Sequence, residues 1–448
     1  MSRRRFNDLA AIGMVLTLAA GSALAQESVT LAETIRPGMI FGVKTRVQIV
    51  EGTLRPPASA DKGKAAPEPI QVTGDGAMEY EESVLGLGSD NLVNKTIRLV
   101  QRMEVKRTLG GQPQENVLRP AVRRLVVLRD KQAKAPFSPD GPLLWSEIDL
   151  VRTDVFTPLL LGLLPGKAVA VGDRWKATES ATLELTGLER IEEGGLDCTL
   201  SAVQTRDGRK IARVGFQGTV RGSNEDGPNR HEITGHYEFD LGSATLTFLT
   251  LNGAQVLLAP DGQSRGRIVG RLALQRQPLK EVAGLSSAAL RPLQLDPTDE
   301  NTLLLFDNPD LGVKFLYPRR WRLASVKGQQ IEMDTPDGHG LLVTLEPTAR
   351  LPTGAAYLKE SREWVEKQRG KINDVSAPRA VSQTPALENF SLDVEIAGQG
   401  RQLDYTIARH PGGGLLFAAS LISGPDARTT RAEVRKIAES ATLTRRLD

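Results

Sequence analysis

The sequence predicts an α+β protein in two parts: a large antiparallel β-rich N-terminal domain, built as a curved half-barrel or a sandwich, then a smaller domain of sheet and helices. Three observations carry this expectation. Apolar and polar residues alternate with a period of two over long stretches between Met39 and Gln275, punctuated by Gly-containing turns. The pattern lapses from Gln277 to Asn301, where Pro, Ser and Asp occur without a sustained period. It then resumes, interrupted by two stretches of helical period. A chain of 448 residues is long enough for two or three ordinary cores.

In the first strand-like run, Met39 to Leu54, residues Phe41, Val43, Val47 and Ile49 point one way and Lys44, Arg46 and Gln48 the other. RPPASADKGKAAPEP, residues 55–69, has no period and reads as a mobile loop. A second run places Ile97, Leu99, Met103 and Val105 on one face, and a third occupies Val122 to Leu128. Between Pro142 and Leu164 the pattern turns helical. Strands resume at Arg174, with Gly194-Gly195 and Asp207-Gly208 as turns, and residues 231–275 read as successive antiparallel strands. This defines a β-rich domain over 26–285, a linker over 286–302 with its boundary near Pro292, and a second domain over 303–448. A curved sheet crossed by helices is also how several exported lipid carriers are built, an architectural comparison only.

Residues 1–25 have the three parts of a secretory signal peptide: Arg3, Arg4 and Arg5, a short apolar core from Ala10 to Ala20, and small residues at Ala23 and Ala25. The apolar run is short for ~30 Å of hydrocarbon, so the expectation is cleavage before Gln26 and a periplasmic or secreted protein. Export would use the Sec route or the twin-arginine route, which Ser2-Arg3-Arg4-Arg5-Phe6 resembles and from which Asn7 and Asp8 depart. Removing this segment takes away three arginines and one aspartate and lowers the formal net charge from +3 to +1. So balanced a chain argues against nucleic acid as a partner. No second apolar run approaches membrane-spanning length. The single cysteine, Cys198, allows no intramolecular disulfide, and its setting in LDCTLSAV reads as a packed strand residue.

The C-terminal third carries a further signal. In LFDNPDLGVKFLYPRRWRL, residues Gly312, Val313, Phe315, Pro318 and Trp321 match the opening of the PsbP-like family, in which a strand of type Gly-hydrophobic-x-Phe leads into x-Pro-x-x-Trp. The order of the remaining segments is similar: strands at QQIEMDTP and GLLVTLEP, a helix at AAYLKESREWVEKQRG, three long strands, and an amphipathic helix from about Asp426 with Val434, Ile437, Ala438 and Ala441 on one face. The resemblance covers about a third of the chain. It implies a PsbP-like α/β/α domain, an antiparallel sheet flanked by helices, and a non-catalytic docking role. It carries over no binding residue.

Motifs for chemistry are sparse. In HEITGH, His231 and His236 are five apart, which separates them by about 140° on a helix and puts them on opposite faces of a strand. Neither arrangement makes a zinc site. His339 in DGHG and His410 in RHPGGG read as exposed loop residues. No nucleophile elbow or phosphate loop occurs, and Glu147, Asp149 and Asp154 around Trp145 read as a polar helix face rather than a glycosidase pair. No catalytic residue, cofactor or metal ligand is therefore assigned. One surface feature remains. Arg98, Arg102 and Lys106 share the parity of one strand, with Arg119, Arg123 and Arg124 close behind, and pairing of those strands would form a cationic stripe for an anionic ligand. The sequence thus predicts a non-enzymatic exported protein that recognises a partner protein or an amphipathic envelope ligand. The competing class is an envelope-polymer hydrolase whose site is assembled from distant residues.

Overall fold

Alternation becomes strand almost throughout. The structure, a computed structural model, describes residues 28–56, 68–130, 133–383 and 385–447. The expected signal peptide and most of the expected loop, residues 57–67, lie outside the described residues. The N-terminal part contains β1 (Val29–Thr30), β2 (Ile40–Leu54), β3 (Ile70–Leu87), β4 (Val93–Leu109), β5 (Gln112–Val117), β6 (Arg124–Asp130) and β7 (Ala133–Phe137). Helix α1 (Trp145–Thr153) and a 3-10 segment, Thr157–Leu163, follow. Then come β8 (Ala168–Val169), β9 (Arg174–Lys176), α2 (Glu179–Thr186), β10 (Arg190–Gly194), β11 (Asp197–Arg206), β12 (Arg209–Asn224), β13 (Gly227–Asp240), β14 (Thr245–Leu258) and β15 (Ser264–Leu279).

Thirteen of these strands form one antiparallel sheet in the order β7-β6-β4-β3-β2-β15-β14-β13-β12-β11-β9, with β5 on β4 and β10 on β12. Two-residue turns set the register. Asp207 and Gly208, with φ of 52° and 75°, give the positive-φ pair that joins β11 to β12. Distant strands reach the same helical segment: Tyr80 of β3 donates to Asp154 at 2.7 Å, and Tyr237 of β13 donates to the carbonyl of Leu163 at 2.9 Å. The sheet therefore curls around the helical segment. Its edges β7 and β9 do not pair, so it is an open curled sheet, a half-barrel in outline, and not a closed barrel. Helix α2 is fixed at both ends: Thr178 accepts the amide of Ala181, and Gly187 terminates it at a φ of 67°.

The C-terminal part holds β16 (Leu304–Asn308), β17 (Val313–Tyr317), β18 (Arg322–Lys327), β19 (Gln330–Asp334), β20 (Gly340–Glu346), β21 (Lys371–Val375), β22 (Arg379–Gln383), β23 (Ala386–Ile396), β24 (Gln399–His410), β25 (Gly413–Ile422) and β26 (Thr442–Leu443). Strands β16, β17 and β26 form a small sheet, and the other eight form a second one. The short α3 (Ser287–Leu290) precedes them. Two longer helices accompany them, the Thr353-capped α4 (Gly354–Lys367) and α5 (Ala427–Ser440), which buries Thr430, Val434, Ile437 and Ala438. Phe315 and Trp321 lie inside, with Phe306 stacked on Phe315 at 4.7 Å and Trp321 Nε1 donating to Glu433 of α5 at 2.9 Å.

The expected α+β class is overturned. Among the described residues the protein is mostly β, with 55 % strand against 16 % helix, large antiparallel sheets, no closed barrel and no distinct α/β/α domain. The reason is the proportion of elements: two fourteen-residue helices accompany eleven strands, too few to cover both faces of the eight-stranded sheet. The stretch 286–302 also differs from a free linker. Leu290, Leu293 and Leu295 pack with Leu285 against Ile97, Val126 and Phe137 on the convex face of the half-barrel. Two further contacts join the parts: Leu305 donates its amide to Leu143, and Arg319 reaches the carbonyl of Pro136 at 2.5 Å.

Candidate functional site

The register of the half-barrel places three cross-strand rows of side chains on its concave face near one end. The inner row runs Leu251–Leu272–Val47–Gly76–Val105. The middle row runs Ile233–Gly253–Gly270–Ile49–Gly74–Arg107. The outer row contains His231, Gln255 and Ile268. Glycines Gly253, Gly270 and Gly74 leave the middle row short of side chains just where α1 and α2 end, with Thr153, Leu185 and Thr186 facing the sheet. The result is a cavity of about 380 Å³, within the range typical of small-molecule sites. One end of it is aliphatic and the other polar. At Gly253 a side chain would meet neighbouring atoms only at 3.7 Å, so the space above it is open.

His231 is the polar group that matters most here. Only 7 % of it is exposed, it lines the cavity, and its Nε2 has no hydrogen-bond partner. Burial alone holds its pKa down to about 4, so the ring is neutral at pH 7. Its neighbour Gln255 donates to Asn229 Oδ1 at 3.2 Å. Asp75, Lys106, Arg107 and Arg271 border the cavity as exposed residues. Lys106 lies 3.1 Å from Glu115, and Arg107 donates to Gln114 at 2.6 Å.

Beneath the helical segment lies a buried ionic network. Arg98 is wholly buried. It donates through Nε to Glu82 and through Nη1 to Asp154, both at 2.9 Å, and its guanidinium sits 4.4 Å over the Tyr80 ring. Tyr80 donates to Asp154 at 2.7 Å, and Thr157 to Glu82 at 2.9 Å. Burial pushes the Tyr80 hydroxyl well above its ordinary value. These bonds tie the concave face to the segment that crosses it.

The sequence-predicted cationic stripe is dispersed. Arg98 lies in the interior, because a bulge at Gln101 pairs Glu79 with Arg102 but Tyr80 with Val100 and so reverses the facing of β4. Arg102 and Lys106 are exposed, the first bonded to Glu104 at 3.0 Å. Arg119 grips buried Glu147 through two bonds of 2.8 Å, Arg124 bonds Asp140 at 2.8 Å, and Arg123 is exposed. The two buried carboxylates of the α1 region, Glu147 and Asp154, are thus each held by an arginine. His231 and His236 do fall on opposite faces, His236 lying against Phe248. His339 differs from expectation: it is buried, and its Nδ1 accepts the amide of Ile422. His410 is half-buried. Cys198 is fully buried, and burial foremost pushes its thiol up to about 12. Among the described residues no group of three or more His, Cys, Asp or Glu is arranged to hold a metal, and no helix is long and apolar enough to cross a membrane. Sequence reasoning missed Tyr80, Glu82 and the three glycines. The cue for the glycines was their recurrence at inward positions of neighbouring strands.

No protein-family model and no curated protein matches the chain. Several solved structures are similar to parts of it. The cyanobacterial PsbP of Synechocystis sp. PCC 6803 is 14 % identical, with a TM-score of 0.26 over 37 % of this chain and 98 % of its own. The Ran-binding protein Mog1p of Saccharomyces cerevisiae is 6 % identical, with a TM-score of 0.25 over 32 % of this chain and 96 % of its own. Lipovitellin is 10 % identical, with a TM-score of 0.30 over 56 % of this chain and 26 % of its own. The likeness to PsbP and Mog1 extends over about a third of the chain. At these scores none of the three carries an argument about function.

Proposed function

We propose that the protein is an exported, non-enzymatic carrier or receptor that takes an amphipathic ligand into the half-barrel, apolar end first. The observation that supports this reading is the gradient along the concave face, from the aliphatic row Leu251–Leu272–Val47–Val105 to the polar residues His231 and Gln255. An apolar chain placed against the inner row leaves water, at about 25 cal/mol for each Å² it buries. A polar head placed at the outer row exchanges water for hydrogen bonds to the protein, which offsets the cost of its desolvation. The arginine-held carboxylates Glu147 and Asp154 are unavailable for the general acid and base work of a hydrolase.

An environment-sensitive apolar fluorophore tests the reading. It should bind saturably with a stoichiometry near one, and Gly253→Leu, which projects a side chain into the open space, should weaken it at least tenfold while leaving the melting temperature nearly unchanged. Non-saturable binding, or binding indifferent to Gly253→Leu, would sink the proposal.

A further inference from the structure

We infer that the ligand presents an uncharged hydrogen-bonding group, of the hydroxyl type, to His231. The inference rests on the proposed function and names the ligand class it requires.

Three features of the cavity carry it. First, His231 is more than nine-tenths buried, lies on the inward parity of β13, and has an unpartnered Nε2. A buried polar atom without a partner forfeits the hydrogen bonds it made to water, a loss of 1–3 kcal/mol in general. A ligand hydroxyl, which can donate or accept, satisfies Nε2 in either tautomer of the ring. Second, the surroundings of His231 are electrically quiet. Its inward neighbours along and across the strands are Ile233, Asn229, Gln255 and Val220. Its lowered pKa has burial as its sole cause, with no charged side chain contributing. Third, the charged groups at the border, Asp75, Lys106, Arg107 and Arg271, are all exposed to water.

A carboxylate or phosphate brought to His231 would be stripped of water without a counter-ion, an outcome far costlier than burying a hydroxyl. The geometry therefore selects against anionic lipids and for neutral ones: long-chain alcohols, monoacylglycerols, or other apolar bodies carrying one hydroxyl. The same neutral ring makes no ion pair, so selectivity comes from hydrogen bonding and from the absence of compensating charge.

Titration calorimetry of the whole protein at pH 7.5 with 1-dodecanol and with dodecanoate tests this. Dodecanol should bind at least tenfold more tightly than dodecanoate. His231→Leu should weaken dodecanol by about five- to tenfold, as expected for one hydrogen bond. His231→Gln, which keeps a hydrogen-bonding group, should recover part of the loss, whereas a purely structural role would leave both variants alike. Dodecanoate binding as tightly as dodecanol, or dodecanol binding unmoved in His231→Leu, would overturn the inference. Provided Gly253→Leu still weakened binding at least tenfold, the proposed function would survive that result. Failure of both ligands to bind the unaltered protein would instead remove the proposed function and the inference together.

Discussion

His231 spends its imidazole in a place where a proton is unwelcome. The ring has an ordinary pKa near 6.5 in the unfolded chain and about 4 in the fold, because burial disfavours the charged form. Between those values the unfolded state binds a proton that the folded state refuses, so stability rises with pH across that window. Its contribution is complete above about pH 6.5, falls as the pH is lowered, and is lost near pH 4. The full swing is on the order of 3 kcal/mol. Chemical denaturation at pH 7.5 and pH 4.5 should show the protein less stable at the lower pH, and His231→Leu should narrow that difference by about 2 kcal/mol. An unchanged pH dependence in His231→Leu would mean the ring is solvated. Its facing was legible in the sequence, since a spacing of five in a strand separates His231 from His236. Its burial was not, because the cavity it lines is closed by residues distant in sequence, Leu185 and Thr186 of α2 among them. His339 was opaque for the same reason: the turn DGHG looks exposed until Ile422 is brought against it.

At the scale of elements, the segment from Trp145 to Leu163 decides whether the half-barrel is a groove or a filled core. The helical period over 142–164 anticipated α1 and the 3-10 segment. What anchors them was hidden. Simple alternation carried through β4 groups Arg98 with Arg102 and Lys106, but the bulge at Gln101 breaks the period and sends Arg98 inward to Glu82 and Asp154. A bulge leaves little trace in composition, so parity errors of this kind are intrinsic to reading a single strand alone. Arg98→Met keeps the length of the side chain but abandons two buried carboxylates. It should cost about 3–5 kcal/mol, read from urea unfolding at pH 7.5. Tyr80 ties this network to the sheet as well, so the loss should appear as one cooperative shift of the midpoint. A change below about 1 kcal/mol, the usual worth of an exposed pair, would place Arg98 in solvent.

Across the whole molecule, the segment between the last strand of the half-barrel and β16 acts as a strap. Leu285, Leu290, Leu293 and Leu295 lie on Ile97, Val126 and Phe137, and Lys95 meets Asp296 at 2.6 Å. Limited proteolysis should therefore spare residues 283–295 in the unaltered protein. Leu285→Asp combined with Leu293→Asp should release the strap and allow cleavage between 280 and 301, detected by mass spectrometry of the fragments. Rapid cutting there in the unaltered chain would show that the strap does not hold. The sequence marked this stretch by its lack of period, yet spaced leucines on irregular backbone carry no periodic signature of burial. The strands on either side were legible for the opposite reason, because an inward face repeats every second residue.

The order of strands carries one more consequence, which concerns how the molecule comes into being. β2 pairs with β15, so that Thr45, which faces Met78 of β3 on one side, faces Leu274 on the other, and this seam lies in the middle of the sheet. One wall, β2 to β7, is made of neighbouring segments, as is the other, β9 to β15, and each can assemble from local hairpins. The seam cannot. It must wait until residue 279 is available and then close a long loop, the slow kind of step in β-rich folding. Val47, Ile49, Gly270 and Leu272 of the cavity floor all belong to that seam. The chamber is thus the last thing the half-barrel acquires, and a chain arrested before the seam closes would own both walls and no room between them.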